Sequence, residues 1–253
     1  MIARAMNAPG PDVLLEIYAS MLRVRLFEER ARELFQNGRI PGFLHTSVGQ
    51  EAVAVGVAAA LRPDDYVLST HRGHGHLDVP LSAHGEAQCL AQARRLTGVS
   101  IAALYTSDLE RARRSGEIIG APHGLTPTLV PDLREMAMGR WEGLTADEIR
   151  GREPEAFADW MARVGEFPFP EGESVPDLVA RAGPAFDAIT AKARGRAVAI
   201  VAHGGTNRAL LCRVLGLPLA RLLALGQDYG ALTVLERRHD AWALSRLNER
   251  AVL

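Results

Sequence analysis

The chain has 253 residues, 47% apolar and 23% charged, and its 29 basic and 30 acidic side chains leave a formal net charge of -1. That composition suits one or two globular domains and excludes a disordered, collagen-like or coiled-coil chain; the balanced charge excludes a global basic field for nucleic acid or acidic lipid. Two cysteines, Cys89 and Cys212, cannot build a disulfide framework or a four-ligand zinc site.

Residues 11–35 predict one long amphipathic helix, with Leu14, Leu15, Tyr18, Leu22, Leu26, Ala31, Leu34 and Phe35 close to helical period. Ser47-Val48-Gly49-Gln50 is a capping box that opens a second helix, ended by Arg62-Pro63. Residues 66–70 predict a short strand, followed by a Gly/His loop over 71–76. Further on, Ser82 caps a helix to about Leu96, residues 101–105 form a strand and 109–119 a helix. Thr145-Ala146-Asp147-Glu148 is another capping box, and 154–163 and 175–193 are helices. The unbroken apolar run 197–202 predicts a strand covered on both faces, followed by a helix over 206–215 and an antiparallel pair at 232–236 and 241–247. Strands alternating with helices predict an α/β domain. The longest apolar run, Ala52 to Leu61, has ten residues, whereas a membrane span needs roughly 20. Residues 1–10 lack the apolar core of a signal peptide, so a cytoplasmic location is expected.

Two resemblances lie on this chain. Residues 79–253 resemble the histidine phosphatase (phosphoglycerate mutase-like) superfamily. The resemblance rests on Val79-Pro80-Leu81-Ser82 with Gly85, Thr106-Ser107-Asp108-Leu109-Glu110-Arg111-Ala112 and Leu133-Arg134-Glu135. It continues through Gly139-Arg140-Trp141-Glu142-Gly143, Gly172-Glu173-Ser174 and Val201-Ala202-His203-Gly204-Gly205. Residues 11 to about 76 are similar to the amino-terminal part of the alpha subunit of thiamine-diphosphate-dependent 2-oxo acid dehydrogenases, of the pyruvate or acetoin type. The segments are Gly42-Phe43-Leu44-His45, Gly49-Gln50-Glu51-Ala52 and Ser69-Thr70-His71-Arg72-Gly73-His74-Gly75-His76. That resemblance implies that His71 and Arg72 match residues beside the cofactor diphosphate, and His45 one lining the active site. The family's Gly-Asp-Gly motif and downstream Asn have no counterpart here, so no cofactor is expected. The chain reads as a junction of two genes near Gly75-His76-Leu77-Asp78.

Hydrolysis through a phosphohistidine needs a nucleophilic imidazole, cationic donors around the phosphoryl oxygens and an acid for the leaving oxygen. His203 leaves the carboxyl end of a strand, where ligands gather in α/β folds. Gly204 and Gly205 let the backbone approach an anion, and the helix from Thr206 presents its amino end to it. Arg111, in the first turn of a helix, can fork two phosphate oxygens, and Glu135 matches the family's proton donor. The bland alternatives are a strand-capping histidine, a surface arginine and a solvated glutamate. Glu173 and Ser174 read as structural, with Ser174 capping a helix. Histidines 71, 74 and 76 have only Asp78 as a nearby carboxylate, so a metal site is not expected.

In the phosphatase family the first strand ends in Arg-His-Gly, whose histidine is the nucleophile; no Arg-His-Gly occurs here. Residues 66–70 are the spare strand for that slot and would deliver His71-Arg72-Gly73-His74-Gly75 to the pocket. If Gly73 takes the place of the family's glycine, Arg72 occupies the nucleophile position and the site is dead. If Gly75 does, His74 is the nucleophile and Arg72 reaches back to the phosphate, with His71 beside it.

The expected architecture is α/β: a mostly parallel histidine-phosphatase-like sheet with helices on both faces over residues 66–253, preceded by a helical amino-terminal arm over 1–65. The expected function is phosphomonoester hydrolysis or phosphate-ester binding, weakened by the missing nucleophile motif. A catalytically inactive fusion or interaction protein, and a remnant dehydrogenase subunit, stay open as alternatives. The expected partner is a small phosphorylated substrate, not nucleic acid or membrane. The apolar amino-terminal helices call for cover, by a homodimer or by folding over the sheet.

Overall fold

The computed structural model describes residues 10–37, 39, 55, 75–193, 195–239 and 241–251. Its contacts divide the chain into two units, residues 1–69 and 70–253. The predicted helix from Ser47, apart from Val55, the predicted strand at 66–70 and the loop residues His45, His71, Arg72 and His74 lie outside the described residues.

In the first unit, α1 (Pro11–Gln36) is the helix that the apolar period predicts. Val13, Leu14, Leu15, Tyr18, Leu22, Leu26 and Phe27 are all exposed along it, while Ala31 is buried. Such a run of exposed apolar side chains along one helix is uncommon on a free protein surface.

The second unit is built on β1 (Ile101–Thr106), which pairs in parallel with β2 (Thr128–Leu129) on one side and β3 (Ala197–Val201) on the other. Leu104 and Thr106 point to one face, where α3 (Glu110–Gly120) approaches so closely that a Cβ on Gly116 or Gly120 would meet them. By strand alternation Tyr105 points to the other face. There, with Val198 and Ile200 of β3, it joins the core formed by α6 (Val175–Ala193) and α7 (Gly204–Leu215). The buried residues of that core are Leu133, Val175, Leu178, Ala182, Phe186, Ile189, the run Ala209–Cys212, Leu222 and Leu225. Helices thus cover both faces, as expected. The apolar run of β3 is less enclosed than its sequence suggests: Ala197 is exposed and the rest of the strand is half-buried. β3 is the last described strand of its sheet, with β1 as its one described neighbour. A strand lacking a described partner on one side shields its side chains less.

The remaining elements follow local chemistry. Ser82 caps α2 (Ala83–Leu96) by accepting the Gly85 N–H at 3.1 Å, and α2 packs on α3. Thr145 and Glu148 form the predicted reciprocal box at the start of α4 (Ala146–Arg152). Pro154 opens α5 (Pro154–Ala162) at the position where its missing N–H costs nothing. Trp141, Ile149, Trp160, Phe167 and Phe169 form a second, largely aromatic core. The strands β4 (Leu232–Arg238) and β5 (Ala241–Glu249) make the predicted antiparallel pair as a separate sheet. No described helix is long and apolar enough to cross a membrane.

Two loops meet backbone to backbone at Gly139. Its φ is +54°, and a Cβ there would stand 2.0 Å from the Pro170 carbonyl oxygen. Gly139→Ala is therefore expected to destabilise the fold by at least ~3 kcal/mol. Gly151, inside α4 with open space around it, is the control: Gly151→Ala should stabilise by about 0.5–1 kcal/mol. Urea unfolding of the two variants checks both signs.

Candidate active site

The site gathers at the carboxyl ends of β1 and β3. Two residues beyond β3, His203 takes extended backbone angles as the N-cap of α7. Its ring is tied to the end of β1: His203 Nε2 lies 2.7 Å from Ser107 Oγ, and Ser107 is fully buried. Ser107 N–H also donates to Val201 O at 3.2 Å, so the two strand ends are joined twice.

Arg111 sits in the first turn of α3, and its guanidinium is oriented by backbone rather than by a carboxylate. NH1 donates to Leu77 O at 2.7 Å and NH2 to Gly75 O at 2.9 Å. Burial pushes its pKa below the usual arginine value, against the pull of Glu135, Asp78 and Glu142. The group stays a cation with donors to spare. The same segment is pinned twice more, by His76 N–H donating to Glu142 Oε1 at 2.9 Å and Glu110 N–H donating to Asp78 Oδ1 at 2.6 Å.

Glu135 reaches the amino end of α7. Gly205 N–H donates to Oε2 at 2.9 Å; Thr206 N–H and Met136 N–H donate to Oε1 at 3.1 and 2.9 Å. This corrects one expectation. The helix begins at Gly204, not Thr206, and the N–H groups of Gly205 and Thr206, which the sequence offers to a substrate anion, are taken by Glu135. The physical reason is that a helix amino end attracts the nearest carboxylate. The Gly204 N–H is not taken by any described residue.

Behind Glu135 stands Arg181 of α6. NH1 donates to Asp132 O (2.8 Å) and Arg134 O (3.0 Å), NH2 to Glu135 O (2.8 Å) and Glu173 Oε2 (2.8 Å), and Nε to Glu173 Oε1 (2.6 Å). Glu173 Oε2 also accepts the Ala137 N–H at 3.0 Å. Burial works to raise the Glu173 pKa, but Arg181 and that N–H outweigh it and hold the carboxylate below its ordinary range. Arg134 grips Asp108 with two donors, and this pairing lowers the Asp108 pKa. Ser174 accepts the Asp177 N–H at 3.3 Å, beside the first residues of α6.

Arg111, Glu135 and His203 are therefore brought together. Burial lowers the His203 pKa to about 4; Glu135 opposes the shift, while Arg111, Arg181 and His76 add to it. Sequence reasoning missed Ser107, Thr206 and Arg181 as parts of the site. Ser107 lies inside the segment 106–112 that carries the family resemblance. Arg181 has no local motif around it.

A profile of the histidine phosphatase superfamily (branch 1) matches residues 68–250. The chain belongs to the histidine phosphatase superfamily. A second profile, that of the dehydrogenase E1 component, matches residues 19–95. A probable phosphoglycerate mutase, GpmB, of Serratia proteamaculans is 30% identical over 177 residues, 70% of this chain and 82% of the relative. Subunit alpha of the acetoin:2,6-dichlorophenolindophenol oxidoreductase of Bacillus subtilis is 55% identical over 62 residues, 24% of this chain and 19% of the relative. The chain thus spans about a fifth of that subunit, and the same share of a pyruvate dehydrogenase alpha subunit from Zymomonas mobilis. Among solved structures, a mycobacterial glucosyl-3-phosphoglycerate phosphatase in complex with VO3 aligns with a TM-score of 0.64 at 32% identity, over 70% of this chain and 91% of that one.

The depressed His203 pKa predicts a pH effect on stability. Between the unfolded value of 6.5 and the folded value of about 4, the unfolded chain binds the extra proton and the folded chain does not. Stability is complete above pH 6.5 and is lost as pH falls through that window, by a few kcal/mol. Urea midpoints of the parent, measured against His203→Gln from pH 7.5 to pH 4, should show the parent losing more.

Proposed function

We propose that the chain binds small phosphomonoesters between Arg111, Glu135 and His203, and hydrolyses them slowly. The observation that carries this reading is the grouping of those three side chains, distant in sequence, at the carboxyl ends of β1 and β3. Arg111 supplies the fixed positive charge, since His203 is neutral near pH 7. His203 and the Gly204 N–H supply hydrogen bonds to phosphoryl oxygens. Glu135 must first take up a proton on an oxygen that has left its N–H partner, and then gives that proton to the departing alkoxide. The names of the relatives, a phosphoglycerate mutase and a phosphatase, support a phosphate ester as the ligand.

His74 is our candidate nucleophile. It immediately precedes Gly75, whose carbonyl holds Arg111. In the first step an imidazole nitrogen of His74 bonds to phosphorus, the ester P–O bond breaks and the alkoxide takes the Glu135 proton. Water then attacks phosphorus, the P–N bond to His74 breaks, the water's proton goes to the Glu135 carboxylate and phosphate leaves. Arg72 and His71 are proposed as further phosphate contacts. Slow turnover is proposed because the Arg-His-Gly motif is missing, and a ~1 Å error in placing a nucleophile can cost about 10²-fold. A phosphate-binding protein without turnover is the other outcome that the test distinguishes. The proposal includes a cytoplasmic location, in keeping with two free, buried cysteines, and cover of the exposed α1 face by a second copy of the chain.

Turnover of p-nitrophenyl phosphate should be weak and vanish in His203→Ala. Calorimetry should show inorganic phosphate binding weakened about 10- to 100-fold in Arg111→Ala, the loss of a charge-assisted contact. Equal affinity in the parent and both variants would sink the pocket. Acid-labile, base-stable phosphorylation lost in His74→Ala and kept in His71→Ala would establish the nucleophile.

A further inference from the structure

The junction between β1 and β3 fixes where the protons of its two side chains lie. Ser107 is fully buried. Its Oγ accepts the Leu109 N–H at 3.3 Å and lies 2.7 Å from His203 Nε2. The hydroxyl carries one proton, and leaving a buried donor unsatisfied costs about 1–3 kcal/mol. Among the described residues, Nε2 is the one acceptor in reach of that proton. Were Nε2 itself protonated, Oγ would face two donors and its own proton would have nowhere to go. One arrangement satisfies every group: Leu109 N–H donates to Oγ, and Oγ–H donates to an unprotonated Nε2. A neutral imidazole with a bare Nε2 carries its proton on Nδ1. His203 Nδ1 has no hydrogen-bond partner among the described residues and is not among their sealed, unpartnered atoms. Burial, which lowers the ring's affinity for a second proton, keeps it neutral near pH 7.

We infer that Ser107 is a positioning residue that locks His203 in the Nδ1–H tautomer, so that Nδ1–H is the donor offered to a phosphoryl oxygen. The second half of this statement rests on the phosphate pocket proposed above; the first half stands on the Ser107–His203 geometry alone. The lock gives His203 a defined part: a directional hydrogen bond rather than a charge. Charge compensation then falls to Arg111. It also explains why a hydroxyl occupies the end of β1 in a place where an alanine would pack. Threonine preserves the donor and alanine removes it, while the backbone contact to Val201 is unaffected by either.

The decisive measurement is a long-range 1H–15N correlation spectrum of the full chain, labelled at histidine nitrogen, at pH 7.5. The His203 ring, assigned by its absence in His203→Asn, should show a protonated, pyrrole-type Nδ1 and a bare, pyridine-type Nε2. Ser107→Ala should move both shifts toward the average of a tautomer mixture, and Ser107→Thr should restore the parent pattern. A protonated Nε2 in the parent overturns the lock. The donor assignment is read separately by calorimetry with inorganic phosphate. The asparagine side-chain nitrogen stands near the position of Nδ1, and that of glutamine near Nε2. His203→Asn should therefore bind phosphate about tenfold more tightly than His203→Gln, the worth of one hydrogen bond. Equal losses overturn the donor assignment. A parent that binds no phosphate at all removes the pocket and leaves the tautomer result standing. Should Ser107→Ala fail to fold, the parent spectrum and the two His203 variants still decide.

Discussion

A guanidinium has five N–H donors, and Arg181 commits all of them to the loops around the site. Three go to the carbonyls of Asp132, Arg134 and Glu135, two to the Glu173 carboxylate. The segment 134–138 has no secondary structure of its own, so its inward carbonyls need partners from elsewhere. Arg181 supplies them from the rigid frame of α6, and Glu173 neutralises the charge. With the carbonyl of residue 135 fixed, its side chain is aimed at the start of α7, where it satisfies two of the helix's orphan N–H groups. Thr206 closes the same arrangement by donating to Arg134 O at 2.7 Å. The position of His203, one residue before α7, thus depends on a residue of another helix. Such over-determination holds a reactive geometry more precisely than a loop could by itself.

Much of this fold is legible in the sequence because its signals are local. Ser82 and the Thr145–Glu148 box start helices where their side chains can reach backbone N–H groups a turn away. The apolar period of residues 175–193 marks a helix whose ends match the structure. β2 escapes notice, since two exposed residues carry no alternation. Of the site, Arg111, Glu135 and His203 can be read because they sit in recognisable segments. The partners of Glu135 cannot. Nothing in residues 133–135 says that the carboxylate will reach the N–H groups of Gly205 and Thr206, which are joined to it only by tertiary packing. Arg181 is invisible for the same reason: its acceptors are mostly carbonyls, which every residue has.

The two profile matches overlap between residues 68 and 95, and the structure shows what holds the chain at residues 75–78 within that overlap. Gly75, His76, Leu77 and Asp78 are each held by one hydrogen bond to Arg111, Glu142 or the Glu110 N–H. All three anchors lie downstream, in the phosphatase-like part. Sequence ahead of Gly75 can therefore change without removing the contacts that fix the entry of the chain into the second unit. In physical terms, residues 75–78 take their geometry from the downstream part of the chain.

The aromatic core next to this segment links the packing of the second unit to its site. Of three tryptophans, Trp141 is fully enclosed, with ring centroids 5.4 Å from Phe167, 5.5 Å from Phe169 and 5.8 Å from Trp160. Its indole nitrogen is buried and makes no hydrogen bond among the described residues, so the ring is held by packing alone. The next residue, Glu142, accepts from the backbone of both His76 and Met138. The aromatic core is thereby tied through one peptide unit to the loop that orients Arg111, so a packing defect around Trp141 is transmitted to the cation of the site as well as to the fold.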